Sequence, residues 1–160
     1  MKIFLMIIFG SFFVQGCTAQ SELPKEMPEE ISITFSENGG MLRAYKKIKI
    51  ENGILEFEEL KGNEQTPQKW SADVFREDLA KLYNVFVKNK FDTIKNDERE
   101  VIVYDAGSET IGISISKSKS FRVTSGENSP LSGNNLKYYQ AVGKAIDDLV
   151  AECQNRKNKN

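Results

Sequence analysis

The chain has 160 residues, 28 % of them charged, and a formal net charge of −1. That is enough for one ordinary domain, with no net field to gather nucleic acid or acidic substrates. It contains no histidine, which excludes Ser-His-Asp and Cys-His catalysis, histidine-ligated zinc and an imidazole switch near neutral pH. Two cysteines, Cys17 and Cys153, are too few for a thiolate zinc site within one chain.

Residues 1–14, "MKIFLMIIFGSFFV", set one cation at Lys2 before a nearly unbroken apolar run. As a helix that run would span roughly 18 Å, well short of the ~30 Å hydrocarbon core. A positive start, a short apolar stretch and small residues after it make a secretory signal peptide. Val14-Gln15-Gly16-Cys17 then resembles the lipobox of bacterial lipoproteins, with an aliphatic residue three before the cysteine and a small one just before it. The resemblance implies a leader over 1–16 and a lipid-modified Cys17 as the first mature residue, facing the periplasm or the cell surface. Gln15 departs from the pattern, which usually has a small residue there. The rival is cleavage after Ala19, which discards Cys17 and leaves a soluble secreted or periplasmic domain. From Cys17 onward the chain carries 21 basic and 23 acidic residues. Under either reading Cys153 has no intramolecular partner.

Residues 17–30 are rich in proline and charge and read as a flexible tether. A single domain is expected over 31–153, beginning with a strand in which Ile31, Ile33 and Phe35 alternate with polar residues. Gly39-Gly40 turns the chain. "AYKKIKIENGILEFEEL" is then two alternating runs around Asn52-Gly53, the favoured pair for a type I′ hairpin. The register follows: Ile50 opposes Leu55 and Ile48 opposes Phe57 on one face, while Lys49 opposes Glu56 and Lys47 opposes Glu58 on the other.

Residues 61–70 read as a polar loop ending at Trp70, with Trp70 partly exposed. Ser71 is the expected N-cap of a helix over about 72–89, with Phe75, Leu79, Leu82 and Phe86 on its buried face. Strands are expected at 101–104, 110–116 and 120–125, and a Ser/Asn/Gly loop at 126–135. The last helix buries Leu136, Tyr139, Val142, Ile146, Leu149, Val150 and Cys153, and 154–160 is a loose basic tail. The order β-β-β-α-β-β-β-α, joined by hairpins, predicts an α+β domain: one antiparallel sheet of about six strands with two helices on one face.

No chemistry announces itself. Glu58-Glu59, Asp97-Glu98 and Asp147-Asp148 are adjacent pairs whose side chains diverge on a strand or helix. "NDERE" (96–100) lacks the calcium-loop pattern, and no glycine-rich phosphate loop is present. No cofactor or metal is expected. The layout over 31–152, with Ile33-Thr34-Phe35, Gly39-Gly40 and Phe91, resembles emfourin, a small bacterial family of metalloprotease inhibitors. That resemblance implies binding to an enzyme; no inhibitory residue can be matched. The expectation is therefore a non-catalytic, envelope-anchored protein-binding module. Its partners would be the lipid bilayer, through Cys17, and a protein of unknown identity. Trp70 and the loop residues Asn128, Pro130 and Leu131 are the candidate contacts. A structural or assembly lipoprotein is the alternative.

Overall fold

The computed structural model describes residues 21–40, 43–99 and 102–159. The leader and the lipobox cysteine lie outside these residues. The elements run β1 (Ser32–Asn38), β2 (Tyr45–Glu51), β3 (Ile54–Leu60), β4 (Gln68–Asp73), α1 (Arg76–Lys88), a 3-10 turn (Phe91–Thr93), β5 (Ser108–Ser116), β6 (Lys119–Gly126) and α2 (Gly133–Lys157). The strands form one antiparallel sheet in the order β4-β3-β2-β1-β5-β6. The fold is α+β, with six strands and two helices, as the hairpin-rich pattern implies.

The β2–β3 hairpin pairs Ile50 with Leu55, Lys49 with Glu56, Ile48 with Phe57 and Lys47 with Glu58. Its turn has positive φ at both Asn52 and Gly53, +53° and +73°, the requirement of type I′ that made the register legible. Period-2 alternation then sorts the whole sheet. Ile33, Phe35, Ile48, Ile50, Leu55, Ile111, Ile113 and Val123 lie on one face and are all buried. They form a single core with Leu79, Leu82, Tyr83 and Phe86 of α1 and Tyr139, Val142, Ile146, Leu149 and Cys153 of α2. The opposite face carries Ser, Thr, Lys and Glu, and neither helix covers it.

Two elements differ from expectation. Residues 68–73 are not the end of a loop but strand β4, paired with β3 from Ile54↔Asp73 to Glu59↔Gln68. The alternation is present in Trp70 and Ala72 on the covered face against Lys69, Ser71 and Asp73 on the other, but its polar half hides it. Consequently Ser71 cannot cap a helix. Helix α1 begins at Arg76 behind Phe75, which makes no side-chain cap bond, and its first turn places Glu77 and Asp78 at the positive end of the helix dipole. Phe75, expected on the buried face, is 56 % exposed, under the Arg156 guanidinium at 4.6 Å. Conversely, Ile102 and Val103 belong to no strand and Tyr104 stands in a turn. β4 and β6 hold the two edges of the sheet, and β1 and β5 are already paired on both sides. The six strands are reached with β4 in place of 101–104.

The two ends of the domain are also better fastened than their composition suggests. Residues 21–30 have no helix or strand, yet Leu23 is buried in the core and Met27 packs against it. Ser21 Oγ donates to Asp92 Oδ1 at 2.8 Å, the Glu22 and Leu23 amides donate to Asp92 Oδ2, and Tyr83 Oη donates to the Pro24 carbonyl at 2.7 Å. Lys119 reaches the Glu22 carboxylate at 3.1 Å. At the other terminus α2 continues to Lys157, through the stretch expected as a loose tail. Arg156 there turns inward to Asp78, at 2.7 Å.

Candidate protein-binding site

Beyond the 3-10 turn, the described residues 95–99 and 102–107 have no helix or strand, and side-chain amides fasten several of them. Asn96 Nδ2 donates to the carbonyls of Thr124 and Ser129 at 2.6 and 2.9 Å. Asn135 Nδ2 donates to the Lys95 carbonyl at 2.9 Å, and the Asp97 amide donates to the Pro130 carbonyl at 2.9 Å. The most specific contact is at Val103. Its amide donates to Asn128 Oδ1 at 2.7 Å, while Asn128 Nδ2 donates back to its carbonyl at 2.8 Å. A primary amide presents a donor and an acceptor side by side, so one side chain satisfies both backbone groups of one residue, as a strand partner would.

The base of this loop is set by glycines where backbones cross. Gly40 has φ +60°, and a Cβ there would lie 2.1 Å from the Asp105 carbonyl oxygen. A Cβ on Gly126 would lie 2.6 Å from the Gly107 carbonyl oxygen. Only glycine lets these segments approach so closely. The clamped loop presents two large apolar side chains to solvent: Ile102 is 75 % and Tyr104 89 % exposed. They flank the Asn128-bound Val103, so the clamp fixes the residue between them. Along the described residues of 95–107 and 126–130 the exposed charged side chains are mainly acidic, Asp97, Glu98, Asp105 and Glu127 against Lys95 and Arg99.

Of the candidates read from the sequence, Asn128 belongs to this site, as its clamp. Pro130 is half-buried and contributes a carbonyl to the lacing; Leu131 is 8 % exposed and part of the core. Trp70 is half-buried, on β4 and not on a loop. It stacks on Phe57 with ring centroids 5.0 Å apart, and its indole N–H is sealed without an acceptor. It is separated from that loop across the sheet: its row on the covered face passes through Phe57, Ile48 and Phe35 before it reaches Ile111 on β5. Ile102 and Tyr104 were missed as contacts because "VIVY" reads as a strand. The one available signal was the amide-rich composition of the two neighbouring loops.

Across the uncovered sheet face the register sets Ser36, Lys47, Glu58 and Lys69 in one row and Thr34, Lys49, Glu56 and Ser71 in the next, with an open trough of about 610 Å³ between them. The Tyr45 hydroxyl at 2.5 Å and Lys69 at 3.1 Å hold Glu58 below the usual carboxylate range, and Lys49 pairs with Glu51 at 2.7 Å. Glu109 sits on the covered face of β5 under α2, where a Cβ on Gly143 would lie 3.7 Å from its Oε1. Burial pushes its carboxyl up, and the Tyr139 hydroxyl beside it is sealed from solvent. The adjacent acids separate: Asp147 bonds Lys46 at 3.1 Å and Asp148 bonds Lys144 at 2.6 Å. Cys153 is fully buried, 3.2 Å from Arg156, and burial raises its thiol. Among the described residues no three Asp, Glu or Cys side chains come together to hold a metal ion. No protein-family model matches the chain, and the search of curated proteins finds no match.

Proposed function

We propose that this protein is an envelope lipoprotein, held to the bilayer through Cys17, that acts by binding another protein and not by catalysis. The observation that carries the reading is the exposed pair Ile102 and Tyr104 on a loop whose centre is clamped by Asn128. A rigid apolar tip loses little conformational freedom on docking, so more of its burial appears as affinity. Burying an aliphatic or aromatic side chain of this size contributes roughly 1.5–3 kcal/mol, so the two together supply a few powers of ten in affinity. The acidic rim favours a partner that offers an apolar cleft edged with Lys or Arg, and it would speed their encounter at low salt. An inhibitor or immunity-type protector that plugs an enzyme's cleft uses this geometry.

The assembly alternative calls for a broad flat apolar patch. The open sheet face is flat, but Lys47, Lys49, Glu56 and Glu58 make it polar, so the observations favour the tip.

The test is site-specific photo-crosslinking in the native bacterium, with the photoreactive residue at position 104 and, for comparison, at position 118 on the β5–β6 turn. A discrete adduct from position 104, abolished by Ile102→Asp, is expected. No adduct at 104, or one indifferent to Ile102→Asp, sinks the tip as the binding site. Intact mass of the membrane-extracted protein, against Cys17→Ala, tests the anchor: a lipid-bearing chain starting at Cys17 is expected, and an unmodified chain starting at Gln20 refutes it.

A further inference from the structure

The segment that would join lipid to domain is short, and the domain end it reaches is known. Ser21, Glu22 and Leu23 are already fastened, to Asp92, to Lys119 and in the core. Only residues 18–20 separate Cys17 from that dock. At full extension the step from Cys17 to Ser21 covers no more than about 14 Å. Lys119, which grips Glu22, opens β6 beside the Lys117-Ser118 turn; Gly126 closes the same strand two residues before the Asn128 clamp. Seven strand steps separate these ends, about 23 Å. The dock and the Ile102–Tyr104 tip therefore lie at opposite ends of the sheet.

From this we infer that, when Cys17 carries lipid, the tight-turn end of the sheet faces the bilayer and the Ile102–Tyr104 tip is turned away from it, toward a partner in the aqueous compartment. Pointing the tip at the lipid would lift the dock by about the length of β6, and a leash of about 14 Å cannot follow it. The exposed apolar pair is thus withheld from the membrane, the surface that would otherwise compete for it. The fastening of 21–23, and not the presence of a lipid as such, sets the orientation. Were those residues loose, the next buried anchor would be Ile31, and the leash would reach about 48 Å, enough for either orientation.

This inference rests on the lipid-anchored reading, and the experiment separates the two. The full-length gene is expressed in a bacterium, and the protein is extracted from the membrane, checked by intact mass, and placed in nanodiscs doped with a gadolinium-chelating lipid. Paramagnetic relaxation is then read at backbone amides. Relaxation severalfold stronger at Ser118 and Asn52 than at Tyr104 and Ser129 is expected. In Leu23→Ser/Asp92→Ala, whose thermal unfolding confirms that it still folds, the contrast should collapse. A lipid-bearing wild type with Tyr104 relaxed as strongly as Ser118 overturns the orientation alone. So does a contrast that survives in the variant, since something other than the dock would then set it. A chain with no lipid on Cys17 overturns the anchored reading and the orientation with it.

Discussion

Replacing Asn128 with alanine removes both hydrogen bonds to Val103, at 2.7 and 2.8 Å, without touching the core. A hydrogen bond contributes a net ~0.5–1.5 kcal/mol, and two at an exposed site, where water can replace them, belong at the low end: about 1–2 kcal/mol in all. That sum is local. Asn128 is exposed, and Asn96, Asn135 and Asp97 still lace the loop to its neighbours, so the domain should stay folded with at most a small shift in melting temperature. The change appears where the bond was. Native-state hydrogen exchange of the Val103 amide should speed up by roughly 5–30-fold, the factor that 1–2 kcal/mol implies, while core amides such as Ile111 keep wild-type protection. Asn128→Asp keeps an acceptor for the Val103 amide but sets a carboxylate against its carbonyl, so it should not restore protection. Binding through the tip should weaken in parallel, since Ile102 and Tyr104 must then be ordered on docking. If the Val103 amide exchanges at the same rate in Asn128→Ala, the clamp does not hold the loop, and the rigid-tip reasoning fails with it.

The remaining expectations test the supports around that loop. Gly40→Ala, at φ +60° and with its Cβ 2.1 Å from the Asp105 carbonyl oxygen, should cost at least about 1–3 kcal/mol in thermal unfolding; an unchanged melting temperature would show that the crossing is not tight. Leu23→Ala should cost about 2–3 kcal/mol, because the side chain is only 6 % exposed, whereas a freely hanging tether would register nothing. Glu109 has a raised carboxyl because burial disfavours its charge; the neighbouring Tyr139 hydroxyl and Lys46 oppose that, and Glu37 and Asp147 add to it. The folded state then keeps a proton that the unfolded state releases, so this group's contribution to stability falls as pH rises from the ordinary carboxylate value through the raised one. Denaturant titrations of Glu109→Gln should show its advantage over wild type growing across that window and levelling above it. An advantage independent of pH would mean that Glu109 titrates normally.

What was legible depended on how far the defining contacts reach along the chain. The β2–β3 hairpin was readable to the residue because its turn chemistry, its apolar face and its Lys/Glu face all lie within fifteen residues and agree. The buried faces of both helices were readable for the same reason, apart from Phe75, which a shifted helix start moved outside α1. β4 and residues 102–104 exchanged roles because strand identity is settled by which edge is vacant. "VIVY" has the stronger β composition, but β4 can pair with β3 across a short loop, while Val103 finds its pairing in a side chain 25 positions away. The sequence shows Asn128 as one amide in a polar loop, with nothing to say that it stands in for a strand.

The same local and long-range division explains why the site hid while the fold did not. Ile102 and Tyr104 look like half of a sheet's buried alternation, and they are exposed because no strand edge is offered to the backbone between them. A segment with strand composition that is denied a sheet would normally be a liability, since its unpaired backbone and apolar side chains invite association. Here Asn128 closes the one residue of backbone between the apolar pair, and the glycines at 40 and 126 seat the loop against the sheet's end. The composition that suggests a strand is thus what a fixed apolar tip requires: side chains that alternate, a backbone that pairs once, and no edge left to extend.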